Sequence, residues 1–336
     1  MRTTHEVTVG DARSLDLPED SVELVVTSPP YPMIELWDEA FAALDPAVGE
    51  ALEAGEGWAA FEAMHAVLDA VWTELARVLV PGGIACVNVG DATRSLGGRF
   101  RCYPNAARVT AAFRDRGFDP LPPVRWHKPT NRATKFMGSG MLPPNAYVTL
   151  EHEHVLVLRN GGPRSFPAGA KRRYESAYFW EERNRWFSDR WEVGGEPQDL
   201  AEGTRERSGA FPVEIPYRLI NMYSVYGDTV LDPFLGTGTT TLAAMLAARH
   251  SVGYERDPDL AGALEGRLEG LPERSRERAR GRLGRHREFA RSADLDYEAT
   301  NYDVGVRTKQ ERDILLYVVA AVECDGGRHE AVHEPL

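Results

Sequence analysis

Cysteine is scarce in this chain: Cys86, Cys102 and Cys324 are the three in 336 residues. They are far apart and odd in number, and none belongs to a CxxC or Cys/His cluster. A disulfide framework and a structural zinc site are therefore excluded as sources of stability, and a reducing cytoplasm is the natural compartment. Long apolar runs are missing too. No stretch is long enough to span a bilayer, and the opening MRTTHEVTVGDAR has no signal-peptide core. Lysine is limited to Lys128, Lys135, Lys171 and Lys309, so the basic residues are almost all arginine. A basic excess is absent as well. The net charge of -12 disfavours, taken alone, a phosphate-binding surface. A local basic stripe can still coexist with an acidic remainder.

What is present is ample for one large α/β domain, or one with a smaller module, and for a core that needs no staple. Val7 to Val9 reads as a strand. Ser21 to Thr27, SVELVVT, reads as another, stopped by Pro29 and Pro30, which cannot donate to a ladder. Pro46 to Leu79 has helical spacing broken near Gly55-Glu56-Gly57, and its second part, Phe61 to Val80, should end at Pro81-Gly82-Gly83. Ile84 to Asp91, Val124 to Pro129 and His152 to Arg159 read as strands, and Asn105 to Arg116 as a helix. From Asn160 to Arg190 basic and aromatic residues interleave with poor periodicity. Pro212 to Tyr226 looks helical after its prolines. A strand through Asp232, a glycine loop, a helix from Thr239 and a strand through Asp257 make a βαβ unit, which implies a parallel sheet. Ala263 to Arg291 reads as one charged helix, and Ile314 to Val322 as a short strand or helix.

Two loops carry chemistry. In LDPFLGTGTT, Leu231 to Thr240, glycines permit a tight turn and close approach to a ligand, and Thr239 and Thr240 open a helix whose free N–H groups favour an anion. No Gly-Lys-Ser/Thr follows, so a P-loop is disfavoured. Glu255 ends the next strand, where an acid can hold ribose hydroxyls. In TSPPY, Thr27 to Tyr31, the prolines stiffen the turn, so that Ser28 Oγ and the Pro29 carbonyl are already aimed as acceptors. The amino nitrogen of cytosine or adenine is a poor nucleophile and must be held in line with its hydrogens accepted. Tyr31 offers a flat face on which a base can stack.

At these two loops the chain resembles the DNA amino-methyltransferases of the β class, in which the SPPY-type motif precedes the cofactor motif. GDARSLDLPEDSVELVVTSPPY, ELARVLVPGGIACVNVGD, VRWHKP and FPVEIPYRLI are similar to further family segments, and together the resemblance covers about residues 5–40, 71–160 and 211–258. It implies an α/β fold with a doubly wound, mostly parallel sheet, Rossmann-like and circularly permuted. It also implies an inserted DNA-recognition region and a helical C-terminal extension. The expected division is a catalytic half over 1–160 with a helical insert about 41–70, target recognition over 161–210, a cofactor half over 211–260, and the extension over 261–336.

The resemblance implies S-adenosyl-L-methionine as cofactor. Asp232, Phe234, Gly236, Gly238 and Thr239 would line it, Phe211 and Pro212 would flank its methionine part, Glu255 would bind its ribose, and Asp11 would lie near its adenine. Ser28, Pro29, Pro30 and Tyr31 would hold the target base, flipped from duplex DNA for direct in-line transfer. Serine at the first catalytic position is associated in the family with N4 of cytosine, aspartate with N6 of adenine. N4-cytosine is therefore expected and N6-adenine is the alternative. A cognate restriction endonuclease and a second copy of the chain are the further partners this reading admits. The Lys135 to Arg159 stretch suggests a short palindrome such as CTAG as the site.

DNA contacts are expected from Arg164, Lys171, Arg172 and Arg173, with Arg132 and Lys135 in a neighbouring loop. His127, His152 and His154 invite a metal; His152 and His154 would share one face of a strand, but no third ligand is apparent for that pair and no metal is expected. An RNA or protein-glutamine methyltransferase uses similar Pro-Pro-Tyr loops; the permuted order and the insert argue against it. A C5-cytosine enzyme lacks its Pro-Cys nucleophile. A regulator without catalysis is at odds with intact Ser28, Tyr31 and glycine loop.

Overall fold

The computed structural model describes residues 1–128, 137–194, 211–325 and 327–336. Ten strands form one sheet. Its parallel centre consists of β1 (Arg2–Val9), β2 (Val22–Thr27), β3 (Leu79–Val89), β9 (Thr229–Asp232) and β10 (His250–Glu255). The hairpin β4 (Ala92–Leu96) and β5 (Arg99–Tyr103) leaves the sheet, whereas β6 (Phe118–His127), β7 (His152–Asn160) and β8 (Arg190–Glu192) extend one flank. After the two-stranded pair β11 (Tyr297–Glu298) and β12 (Gly305–Val306), β13 (Tyr317–Asp325) and β14 (Arg328–Pro335) extend the other flank. The order is β13-β14-β1-β10-β9-β2-β3-β7-β6-β8.

The position of β9 decides where a ligand can bind. It lies between β10 and β2 and runs parallel to both. From β9 the chain winds through a helix to β10 on one side; from β2 it winds through a helix to β3 on the other. The strand order therefore reverses between β9 and β2, and in open α/β sheets ligands bind beyond the carboxyl ends at such a switch point. Asp232 and Thr27 are the last residues of those two strands.

Local sequence explains the core. VELVVT is almost wholly buried, as a parallel strand covered on both faces must be. The 22-residue helix Gly57–Val78 covers one face with Phe61, Met64, Leu68, Val71, Trp72 and Leu75, the spacing of an apolar stripe. The helices Glu214–Tyr223 and Thr239–Leu246 cover the other face around Ile215, Leu219, Ala243 and Ala244.

Three elements differ from expectation. Helix Gly57–Val78 ends before Pro81, and Pro81-Gly82-Gly83 lies inside β3, where the register with β2 shifts between Val22 and Leu24. The charged helix is two, Pro258–Arg267 and Leu271–Ala290, separated where Gly270 adopts φ +67° ahead of Pro272. Beyond Ala290 the extension is not helical: β13 and β14 form an antiparallel hairpin added to the edge of β1.

The basic, aromatic segment is built into the body of the protein. Phe179 and the helix Trp180–Trp186 pack on helix Leu271–Ala290. Arg282 pairs with Glu182 at 2.7 and 2.8 Å, with side chains only 5% and 1% exposed. Phe179 stacks on His286 with ring centroids 4.0 Å apart, and Glu311 accepts from the Trp180 N–H. Removing one member of a buried pair strands the other charge, so Arg282→Ala should cost roughly 3–5 kcal/mol in denaturant unfolding. Glu182→Met combined with Arg282→Met should cost clearly less; equal losses would show that the pair is not what holds this segment.

Candidate active site

The cofactor side forms where β9 and β10 end. Asp232 is 4% exposed and accepts from Thr27 Oγ1 at 2.6 Å and from the Phe234 N–H at 3.1 Å. It is turned into its own loop and braces it. Burial pushes its carboxyl up to about 6, against the pull of the Thr27 and Thr240 hydroxyls and the Phe234 N–H, while Glu255 adds a further upward push. Glu255 accepts from the N–H groups of Gly236 at 2.8 Å, Arg256 at 2.8 Å and Asp257 at 3.0 Å. A carboxylate has about four acceptor directions, so one stays open.

The loop needs its glycines. Gly236 and Gly238 adopt φ +54° and +79°, and a Cβ on Gly238 would lie 2.8 Å from Leu264 Cδ1. Thr239 is buried at the helix start, and Arg267 Nη1 donates to its Oγ1 and to Thr237. Asp11 follows β1 beside this loop: Val9 pairs with Glu255, and the Gly10 N–H donates to the Glu255 carbonyl. Its carboxylate is held below its ordinary value by hydrogen bonds from Arg13. Phe211 and Pro212 are buried immediately before helix Glu214–Tyr223. An open glycine turn, a helix start and an acid at the next strand end suit an adenosyl ligand with a carboxylate tail.

The catalytic side forms where β2 ends. Pro29 is buried, and Ser28, Pro30 and Tyr31 are half-buried. Ser28 Oγ lies 3.1 Å from the Tyr31 hydroxyl. That hydroxyl donates to Glu153 Oε2 at 3.0 Å, and Asn88 Nδ2 donates to the same hydroxyl at 2.8 Å and the same carboxylate oxygen at 2.7 Å. Lys128 Nζ pairs with the other oxygen of Glu153. Burial, then the charge of Glu153, pushes the Tyr31 phenol well above its ordinary value. Below it, Asn105 Nδ2 donates to the carbonyls of Pro32 at 3.0 Å and Gly90 at 2.9 Å, tying the catalytic loop to the end of β3. His65 Nε2 holds the Asn105 carboxamide oxygen at 3.0 Å. Met33 closes the turn with φ +68°, an uncommon strain for a side-chain-bearing residue and one that clusters at functional sites.

Asn88, Asn105, Lys128 and Glu153 had no assigned role from sequence. The signal available was a lone acid, Glu153, inside an apolar strand, and a lone amide, Asn88, inside another.

The expected DNA contacts fare differently. Arg132 and Lys135 lie outside the described residues. Arg164, Arg172 and Arg173 are not brought to the catalytic end. Arg164 pairs at 2.6 Å with buried Asp228, which precedes β9, and Arg172 approaches the same carboxylate at 3.7 Å. Asn160 Nδ2 donates to the Leu79 carbonyl at the start of β3. At about 3.3 Å per residue, Ile84 to Val89 alone separates the two ends of the sheet by about 17 Å. Arg173 lies over the Phe166 ring at 4.9 Å, and Lys171, 85% exposed, faces Glu175. Arg164 thus neutralises a buried acid and Arg173 covers an aromatic face, whereas Lys171 and Arg172 remain exposed. Among the described residues no group of three or more potential metal ligands occurs; His152 and His154 only contact each other edge to face.

Comparison with known proteins identifies the family. A family model described as DNA methylase, of the N6/N4 type, matches residues 22–264. The chain belongs to the N6/N4 DNA methylase family. It is 49% identical over 323 residues to the type II methyltransferase M.MthZI of Methanothermobacter thermautotrophicus, across 94% of this chain and 91% of that protein. It is also 49% identical over 290 residues to M.MjaI of Methanocaldococcus jannaschii, across 81% and 93%. A putative DNA modification methylase of Thermus thermophilus, TTHA0409, solved with S-adenosyl-L-methionine, matches with TM-score 0.63 and 34% identity over 80% of this chain and 95% of that one. The cytosine-N4-specific PvuII DNA methyltransferase shares the fold, with TM-score 0.52 at 18% identity over 78% and 86%. This N6/N4 methylase is thus an S-adenosylmethionine-dependent DNA methyltransferase with the class I fold.

A raised carboxyl means that folding favours the protonated form. Asp232 therefore contributes stability that is fully present below its unfolded value and is lost as pH rises through about 6. Without cofactor, Asp232→Asn should raise Tm by a few degrees at pH 8, and the gain should shrink at pH 5. A gain independent of pH would contradict burial of this charge.

Proposed function

We propose that this methylase transfers the methyl group to N4 of cytosine in duplex DNA. The observation that carries the reading is Ser28 at the carboxyl end of β2, a neutral acceptor one strand away from the cofactor loop. S-adenosylmethionine supplies an electrophilic methyl group on a positively charged sulfur; every other requirement falls to the chain. Asp232, Phe234, Gly236, Gly238, Thr239, Glu255 and Asp11 form the cofactor's surroundings, with Phe211 and Pro212 against its methionine end. Tyr31 stacks on the flipped base, worth about 1–3 kcal/mol, which offsets much of the few kcal/mol that flipping costs. Ser28 Oγ and the Pro29 carbonyl accept the amino hydrogens, so that the nitrogen lone pair faces the methyl group. No covalent enzyme intermediate is required.

DNA then approaches the carboxyl end of the sheet. There the hairpin β4–β5 carries the exposed Arg99, Arg94 being paired with Asp38, and Phe100 stacks on Tyr147 at 4.6 Å. A cleft of about 440 Å³ lined by Met33, Ile34, Leu36, Arg94 and Phe100 opens beside the catalytic loop. Met141, Leu142 and Val148 are exposed on the neighbouring loop. A short palindrome such as CTAG is the site to try first. A cognate restriction endonuclease and a homodimer belong to the same proposal.

Ser28→Ala and Tyr31→Ala should each abolish methyl transfer while leaving cofactor binding nearly intact. Single-molecule sequencing of DNA from a host expressing the protein should show methyl groups on cytosine N4. Marks on adenine N6 would replace this reading, and full activity in Ser28→Ala would remove it.

A further inference from the structure

We propose that Glu153 is a positioning residue for the transfer, acting through the Tyr31 hydroxyl to fix Ser28 as an acceptor and to receive the departing proton. The inference rests on the reading that Ser28 faces the target amino group.

The direction of each hydrogen bond follows from what each group can do. A carboxylate only accepts, and a carboxamide nitrogen only donates. Glu153 Oε2 receives Asn88 Nδ2 at 2.7 Å and the Tyr31 hydroxyl at 3.0 Å, and Lys128 occupies its other oxygen. The single phenol proton is thereby committed to Glu153. The phenol oxygen accepts from Asn88 at 2.8 Å, and toward Ser28, at 3.1 Å, it has only a lone pair to offer. Ser28 must donate there, which leaves its own lone pairs for the amino hydrogens of the base. A serine without this constraint could equally turn its proton toward the substrate, where it would compete for the nitrogen lone pair. Gly90 keeps the chain of groups compact: a Cβ there would lie 3.2 Å from the Tyr31 ring and 3.3 Å from Glu153 Cγ.

The same chain moves one proton. After methyl transfer the amino nitrogen carries a surplus proton. Its N–H bond breaks toward Ser28 Oγ, the Ser28 proton passes to the Tyr31 oxygen, and the Tyr31 proton passes to Glu153 Oε2. One N–H bond is lost, one O–H bond is gained on Glu153, and no oxidation occurs. The charged and titratable groups around Glu153 are Lys128 just after β6, Tyr31 on the catalytic loop, and His152 and His154 beside it on β7; Asp91 and Arg125 act on His154.

The test is single-turnover methylation of duplex DNA over a range of DNA concentrations with wild type, Glu153→Gln, Tyr31→Phe and Ser28→Ala, with cofactor binding measured on each. Glu153→Gln can still accept from Tyr31 but cannot take a proton. It should lose about 100-fold in the rate at saturating DNA, the lower end of proton-transfer contributions, while the half-saturating DNA concentration stays unchanged. Tyr31→Phe, which keeps the ring, should show the same loss of rate. Both should bind cofactor as wild type does. A Glu153→Gln rate within twofold of wild type at saturating DNA would overturn the proposal. If Glu153→Gln does not fold, an unchanged Tyr31→Phe rate overturns it instead. Ser28→Ala separates the two ideas: full activity there removes the underlying reading, whereas an inactive Ser28→Ala beside a normal Glu153→Gln removes only this one.

Discussion

One hydrogen bond ties together the two loops proposed to hold the cofactor and the target base. Thr27 Oγ1 donates to Asp232 Oδ1 across 205 residues of sequence. Each is the last residue of its strand, and each is followed at once by a working loop, Ser28–Tyr31 on one side and Phe234–Thr239 on the other. Thr240 Oγ1 adds a second tie to the Val26 carbonyl. The sheet register supplies the coarse alignment, with Val25 opposite Leu231. These two bonds supply the fine alignment, within the few tenths of an ångström that in-line transfer demands. Burying Asp232 is unfavourable for its charge, and the structure tolerates that because the carboxylate satisfies loop N–H and hydroxyl groups that would otherwise be stranded.

The catalytic loop depends on a similar economy. Its backbone is strained at Met33, and one turn bond, from the Ile34 N–H to the Tyr31 carbonyl, is its local support. Asn105 supplies the restraint from below, and His65 orients Asn105. Burial lowers the His65 imidazole to about 4, so it remains neutral across the working range. The loop is thus held by uncharged groups beneath and by the Glu153 and Lys128 pair beside it.

The doubly wound sheet, the order of the two loops and the acid at the end of β10 were all legible in the sequence, because glycine turns, paired prolines and buried apolar runs are local signals. Long-range partners were not. Glu153 and Asn88 look like isolated polar residues in apolar strands until β3 and β7 are placed side by side. The partners of the segment around Arg164 to Arg173 were hidden for the same reason. Arginine beside aromatic residues reads as a nucleic-acid surface, but Asp228, which neutralises Arg164, is distant in sequence, as Arg282 is from its partner Glu182. The end of the chain misled because alternation in Tyr317 to Asp325 is weak on a strand that is exposed over much of its length.

The order of strands also has a consequence for how the protein is made. β1 and β2 emerge early, but two places between them stay vacant until β9 and β10 arrive, more than two hundred residues after Thr27. At about 5–20 residues per second, that interval lasts on the order of ten to fifty seconds. Throughout it the apolar faces of VELVVT have no lateral neighbour on one side, and the cofactor pocket does not exist. The pocket beside Thr27 can therefore close only after β9 and β10 have been made, so the late strands govern when the protein can first bind a cofactor.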